Sequence, residues 1–255
     1  MADGEHGSLG VSAAPLLPQS FYARDALLVA RDLLGKLLVR DAVALRITEV
    51  EAYRWPGDTA NHCRAGRTPR NAAMWGPPGH AYVYLCYGMH NMLNLVTDRE
   101  GEGAAVLIRA GEPVAGLAEL LARRKATSER PALLTGPGKI GQALGLDAGW
   151  SFHPLFEPGG LCVRDAPPVP AILAGPRVGI DYASPADRAA PWRLAIGERG
   201  RGRDVCRPDL GPCVLLGRRD GWRTGRRRRT FATSRGRMPN FSIASSASIE
   251  KASGS

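Results

Sequence analysis

Several features are scarce in this chain of 255 residues. It has no apolar run of the length a helix needs to cross a bilayer, roughly 20 residues, so no membrane-spanning helix is expected. Its first residues, "MADGEHGSLGVSAAPLLPQ", have neither a basic start nor a long apolar stretch, so a secretory signal is not expected. Cysteine is sparse: Cys63, Cys86, Cys162, Cys206 and Cys213 are odd in number and scattered, with no C-x-x-C pair. That pattern excludes a disulfide scaffold, a zinc ribbon and a dithiol redox motif, and it fits free thiols in a reducing cytoplasm. Aromatic residues make up only 6%. No internal repeat is present, which excludes solenoids and propellers.

Basic charge is also scarce where a folded domain would use it. The net charge is +10, but residues 198–255 hold 14 of the 34 Lys/Arg and only 5 of the 24 Asp/Glu. Residues 1–197 are therefore nearly neutral, with 20 basic and 19 acidic groups. A polyanion would have to be met there by a local patch. The organisation expected is a disordered leader over 1–19, one folded domain over 20–197, and an Arg/Gly/Ser-rich, disordered tail over 198–255. The tail is either a non-specific nucleic-acid arm or an end with no dedicated role.

Within the domain, "RDALLVARDLLGKLLVR" reads as a helix capped by Asp25 and stopped by Gly35. Strands are expected over Leu37–Arg40, Leu45–Tyr53, Ala81–Tyr87, Leu93–Val96, Ala104–Ala110 and Pro176–Ala183. "PVAGLAELLARRK" reads as a helix, and "LLTGPGKIGQALGL" as the start of another, with Thr135 as cap and Pro137 in its first turn.

What is present in excess is local. "GPPGHAYVYLCYGMHNMLNL" places Tyr82, Tyr84 and Tyr87, half of the six tyrosines, on one hairpin that reverses at Gly88. Tyr82, Tyr84 and Cys86 share one face, while Tyr87, beside Met89, projects from the tip. Such an aromatic could wedge into a base stack; taken alone, the hairpin could equally be core packing with one exposed ring. In "LRITEVEAY", strict alternation puts Leu45, Ile47, Glu49, Glu51 and Tyr53 on one face. Two carboxylates then enter the side that should be buried. They are either candidate general bases in a cleft or a frayed, solvated strand end. Arg109 ends the apolar strand "VLIRAGEP" and would need an anionic partner, for which Glu51 is a candidate; a simple sheet-edge Arg is the alternative. His62 lies in the polar loop "GDTANHCRAGRTPRN", where Arg64, Arg67 and Arg70 offer phosphate contacts. "GPGK" (Gly136–Lys139) is not a P-loop, since Leu133 and Ile140 stand where Gly and Ser/Thr are needed, but Lys139 could hold a backbone phosphate. From the residues alone three functions stay open: a nucleic-acid enzyme, a non-catalytic nucleic-acid-binding module, and a metal-dependent hydrolase using His62 and the two glutamates.

Taken in order, "ITEVEAYRWPGDTANHCRAGRTPRNAAMWGPPGHAYVYLCYGMHNMLNL", "VLIRAGEP", "TGPGKIGQAL" and "PRVGIDYA" resemble the alkyladenine (3-methyladenine) DNA glycosylase family over roughly Phe21 to Ile196. The resemblance implies a mixed α/β (α+β) domain, with a curved antiparallel sheet, a protruding β-hairpin and surrounding helices. It implies a monomer that needs no cofactor or metal and acts on double-stranded DNA containing damaged purines. It further implies a catalytic set of Glu51 (general base), Arg109 and the Val178 carbonyl. Tyr53, His62, Tyr84 and Asn94 match base-binding positions, Tyr87 and Met89 the DNA-intercalating tip, and Arg67, Arg70 and Lys139 are the expected DNA-backbone contacts. The chain departs from the family after "PWR", where "LAIGERGRGRD" turns into Arg-rich sequence. We expect a replaced C-terminus there.

Overall fold

The computed structural model describes residues 11, 13–130, 132–197, 199–200, 203–204 and 214–216. Two short helices lead in. α1 is Gln19–Tyr22 and α2 is Ala26–Leu33, whose N-terminus is capped as expected by the Asp25 carboxylate accepting from the Leu27 and Leu28 amides. β1 (Leu37–Arg40) and β2 (Val43–Tyr53) follow, then the hairpin β3 (Ala81–Cys86) and β4 (His90–Val96), and β5 (Ala105–Ala115). α3 (Leu117–Arg124) and α4 (Pro137–Ala143) precede β6 (Leu161–Arg164), β7 (Ile172–Gly175), α5 (Pro185–Ala189) and β8 (Arg193–Ile196). β9 (Arg199–Gly200) and β10 (Arg203–Asp204) pair with each other, and β11 (Val214–Leu216) ends the described chain.

The main sheet is antiparallel throughout, in the order β11-β7-β8-β2-β5-β4-β3, with β1 and β6 branching from β2. β2 organises it. Its first half pairs with β1 and its second half with β8 on that same edge, while β5 runs along the other. A long strand serving two partners in succession must twist and bend, and the sheet curls around a core. That core packs Leu33 and Leu34 against Leu38, Leu45, Ile47, Val50, Val106 and Ile108. This is the expected mixed α/β domain with a curved antiparallel sheet.

Several local expectations are corrected. Residues 15–17 are not a free leader: the Leu17 amide donates to the Val163 carbonyl, the Asp165 amide to the Pro15 carbonyl, and Leu17 is buried in the core. An apolar side chain beside an open strand edge is enough to dock the segment. Residues 1–10 lie outside the described residues. The helix expected from Pro113 starts only at Leu117, because Pro113–Ala115 still belong to β5 and Gly116 turns the chain at φ 72°. A Cβ at Gly116 would lie 2.3 Å from the Ala42 carbonyl oxygen, so no other residue fits there. Thr135 does not cap α4: its hydroxyl donates to the Ala132 carbonyl, and Gly136 takes the cap position. The strand expected over Pro176–Ala183 is a loop; the strand lies earlier, at Ile172–Gly175. Val178, Ile180 and Tyr182 mimic alternation, but Gly179 has φ 73° and breaks any ladder. In the expected tail, Val214–Leu216 pairs with Ile172–Ala174 as an edge strand. Most of that tail lies outside the described residues.

Candidate active site

The strict alternation expected in β2 fails at one point, and that failure builds the site. Ile47 pairs with Gly111 and Glu49 with Ala110, leaving Thr48 as an extra residue on β2. Val50 then pairs with Ile108, leaving Arg109 as an extra residue on β5. Paired bulges of this kind turn both strands over. Leu45 and Ile47 face the core before the bulge, and Val50 and Ala52 face it afterwards. Glu49, Glu51 and Tyr53 therefore do not share the face of Leu45 and Ile47. They lie on the opposite side, together with Leu107 and Arg109.

On that side lies a cavity of about 370 Å³, lined among others by Tyr53, His62, Tyr82, Tyr84, Asn94, Leu107, Arg109, Val178 and Tyr182. Its size is that of small-molecule sites, which span roughly 300–1,000 Å³. Its lining comes from the end of β2, the segment after it that carries Ala60, His62, Arg70 and Met74, the β3–β4 hairpin, β5 at Leu107 and Arg109, Pro137, and the loop after β7.

Glu51 is fully buried. Its Oε2 accepts from the Tyr53 hydroxyl at 2.9 Å, and its Oε1 from the Val178 amide at 2.8 Å. Arg109 Nη1 stands 3.3 Å from that same Oε1. Burial pushes the Glu51 carboxyl above its ordinary range; Arg109, the Val178 N–H and the Tyr53 hydroxyl pull it back, and Glu49 adds a further upward push. Arg109 meets Glu49 more closely than Glu51, donating Nε to Glu49 Oε1 at 3.0 Å. Arg193 Nη1 approaches the same Glu49 oxygen at 3.5 Å. The anionic partner expected for Arg109 is thus a pair of carboxylates.

The walls are aromatic. Tyr82 and Tyr84 stack with centroids 5.5 Å apart, as their shared strand face requires. His62 meets Tyr84 edge-on at 4.6 Å, and its Nδ1 lies 3.1 Å from the Tyr82 hydroxyl. Burial first, then Arg70 and Arg64, hold the imidazole down at about 4, so it is neutral at physiological pH. Asn94 is buried, and its amide is fixed by donating to the Tyr82 and Met92 carbonyls at 3.2 and 3.4 Å.

At the rim the hairpin turns through Tyr87, Gly88 and Met89, closed by the Met89 amide donating to the Cys86 carbonyl. Tyr87 is 86% and Met89 72% exposed. Arg70 also lines the cavity, and its Nη2 lies 3.4 Å from the Leu85 carbonyl. Arg67 is exposed and not part of the lining, and Lys139 donates to the Ala132 carbonyl at 2.8 Å. The structure therefore brings Tyr53, His62, Tyr84, Asn94, Arg109 and Val178 into one cavity, with Tyr87 at its rim and Glu51 buried directly behind the lining, against Tyr53, Arg109 and Val178; Met89, Arg67 and Lys139 stand apart from it.

Sequence reasoning missed Asp58, Arg177 and Tyr182. The Tyr182 hydroxyl donates to the Ala60 carbonyl, and the Arg64 guanidinium lies 5.0 Å over its ring. Its only signal was an aromatic in "PRVGIDYA", which alternation assigned to a strand. Among the described residues no group of three or more His, Cys, Asp or Glu is arranged to hold a metal ion.

The sequence model of the family described as methylpurine-DNA glycosylase matches residues 20–199. A protein of Arabidopsis thaliana named DNA-3-methyladenine glycosylase is 56% identical over 188 residues, covering 73% of this chain and 74% of its own. A provisionally named 3-methyladenine DNA glycosylase of Nitrosococcus oceani is 68% identical over 181 residues, covering 71% of this chain and 90% of its own. One of the same provisional name from Methanocella arvoryzae is 49% identical over 184 residues, covering 71% and 92%. With the matched segment spanning the whole cavity and most of the curled sheet, the chain belongs to the methylpurine-DNA glycosylase family.

Proposed function

We propose that this chain starts base excision repair by everting an alkylated or deaminated purine from double-stranded DNA and hydrolysing its N-glycosidic bond with a water activated by Glu51. The observation that carries the reading is the buried Glu51 carboxylate held directly behind the wall of an aromatic cavity by Tyr53, Arg109 and Val178, which line it. A surface that only bound nucleic acid would have no use for a desolvated carboxylate there. Eversion costs a few kcal/mol of unstacking, less for a damaged base. Tyr87, with Met89 beside it, fills the gap in the duplex, while Tyr53, Tyr84 and His62 receive the base; stacking on such rings contributes about 1–3 kcal/mol per base. A cationic N-alkylpurine gains further from the faces of Tyr53 and Tyr84. A neutral His62 adds no repelling charge. Asn94, held rigid by two carbonyls, is suited to reject a purine that carries an extra amino group.

In the chemical step Glu51 takes a proton from water as the oxygen bonds to C1′ and the C1′–N bond breaks. The bond's electron pair leaves with the purine. Arg109 and the Val178 carbonyl complete the water's contacts. The same carboxylate offsets the positive charge that develops on the sugar. No enzyme amine takes part, so no strand cleavage by a lyase route is expected. Arg67, Arg70 and Lys139 would contact phosphates. No helix among the described residues is long and apolar enough to cross a membrane, and a monomer in the cytoplasm suffices for this chemistry.

The test is base release from duplexes that each carry one defined lesion: 3-methyladenine, 7-methylguanine, hypoxanthine or etheno-adenine. Abasic sites should form without added metal. Glu51→Gln should abolish their formation and retain lesion binding. Equal release by that variant would leave only the non-catalytic binding reading.

A further inference from the structure

One ion pair buried behind the cavity serves neither the water nor the base directly. Asp58 and Arg177, 119 positions apart, form a bidentate ion pair, with Nη1 to Oδ2 at 2.6 Å and Nη2 to Oδ1 at 2.8 Å. Both side chains are 0% exposed. A pair so deep is a poor source of stability, because desolvating two charges offsets most of their attraction, and apolar replacements of similar volume are often neutral or stabilising. Arg177 Nε adds to the cost, being buried without a hydrogen-bond partner among the described residues. What such a pair supplies is geometry: a planar fork meeting a carboxylate in one orientation.

That geometry ties together three segments that build the cavity. At the end of β2, Arg177 Nη1 donates to the Ala52 carbonyl at 3.0 Å, and its guanidinium lies 4.8 Å over the Tyr53 ring. The other ring it covers is Trp192, also at 4.8 Å. In the loop that leads to His62, Asp58 accepts from the Arg54 and Ala60 amides, and its carbonyl accepts from the Asn61 amide. In the loop after β7, Arg177 sits between two other anchored residues: the Pro176 carbonyl accepts from Arg193 Nε at 2.8 Å, and the Val178 amide donates to Glu51. Moving Arg177 would move the Tyr53 ring and the Val178 amide together.

We propose that the Asp58–Arg177 pair is a positioning device for the reaction, fixing the Tyr53 ring and the Val178 peptide against Glu51 after DNA has bound. The proposal rests on the reading of Glu51 as general base. It predicts damage to the chemical step with little damage to the binding of a duplex that places no base against Tyr53, since the pair itself is sealed away from DNA.

Two variants test it. Asp58→Leu/Arg177→Met removes both charges together, so neither is left buried alone, and Arg177→Lys keeps the charge but loses the fork. Each is compared with the parent for thermal midpoint, affinity for a duplex bearing a tetrahydrofuran abasic analogue, and single-turnover release of whichever of the four lesions the parent frees fastest. The double variant should keep the parental midpoint and bind the analogue within about threefold, while release slows roughly 100-fold, as an ångström-scale misplacement does. Arg177→Lys should behave likewise. A second readout is the acid limb of the rate. Glu51 is faced by Arg109, Glu49, Tyr53 and the Val178 N–H, with Arg177, Tyr84 and Tyr182 further off. A displaced Val178 N–H should shift that limb to higher pH. Parental release and an unmoved limb in the folded double variant would overturn the proposal. So would a release defect matched by equal loss of affinity and thermal midpoint. Should the double variant not fold, the same readings on Arg177→Lys decide. A parent that frees none of the four bases would remove the glycosylase reading and this proposal with it, whereas an active parent with equally active variants removes this proposal alone.

Discussion

The floor and the rim of the cavity are both made of residues with rings or charges, yet they are held in opposite ways. Just beneath the floor, Glu51 has three polar neighbours within 3.3 Å and no exposure. At the rim, Tyr87 is 86% exposed. A group that must meet a developing charge has to be fixed beforehand, because reorganisation during reaction would be lost rate. A group that must enter a duplex finds its surroundings only when the duplex arrives. On the proposed function the floor serves chemistry and the rim recognition, and the two should separate under mutation.

The largest effect should come from the floor. Glu51→Gln should lower single-turnover base release by roughly 10²–10⁴-fold, the span of general acid–base contributions, with lesion affinity nearly unchanged. Its thermal midpoint at pH 7 should equal or exceed the parent's. The sign follows from Glu51's raised carboxyl: the native state binds that proton more tightly than the unfolded chain, so stability falls as pH rises through the interval between the two, and a neutral amide escapes the loss. A variant that melts well below the parent at pH 7 would contradict this.

Next is the rim. Tyr87→Ala should weaken binding to lesion-containing duplex by the ~1–3 kcal/mol of one stacking ring, roughly 5- to 150-fold, with release from saturated complex much less affected. An equal loss in both would erase the distinction between the two regions. A third effect returns to the floor. As the proposed general base, Glu51 must be ionised, so release should drop about tenfold per pH unit below a midpoint lying above the ordinary glutamate value of 4.5. A midpoint at or below that value, after subtraction of enzyme-free depurination, would count against Glu51. The smallest effect belongs to the surface outside the cavity: Arg67→Ala should reduce affinity a few-fold and flatten the dependence of log affinity on log salt by about 0.9.

Much of this arrangement was legible in the sequence because it is local. The hairpin's alternation, the Gly88 reversal, the Asp25 cap and the apolar strands all depend on near neighbours. The burial of Glu51 was legible; its direction was not. Read as a regular strand, β2 carries its carboxylates into the core, and only the unpaired Thr48 and Arg109 reveal that both strands turn over together. A bulge is a property of two strands at once, and one strand's pattern does not contain it. The Asp58–Arg177 pair escaped for the same reason: each residue alone looks like an ordinary charged loop position. The failed strand at Pro176–Ala183 shows the reverse error, in which alternation was present but Gly179 and the anchoring of Pro176, Arg177 and Val178 imposed a loop.

The hairpin tip carries one more lesson. Tyr87 sits at φ 51°, a left-handed posture that costs a side-chain-bearing residue on the order of 1–2 kcal/mol. Glycine or asparagine would rest there with less effort, so a screen that selected only for heat resistance would favour replacing this ring. Under the proposed role of the tip, the molecule would emerge sturdier and less able to pry open its substrate.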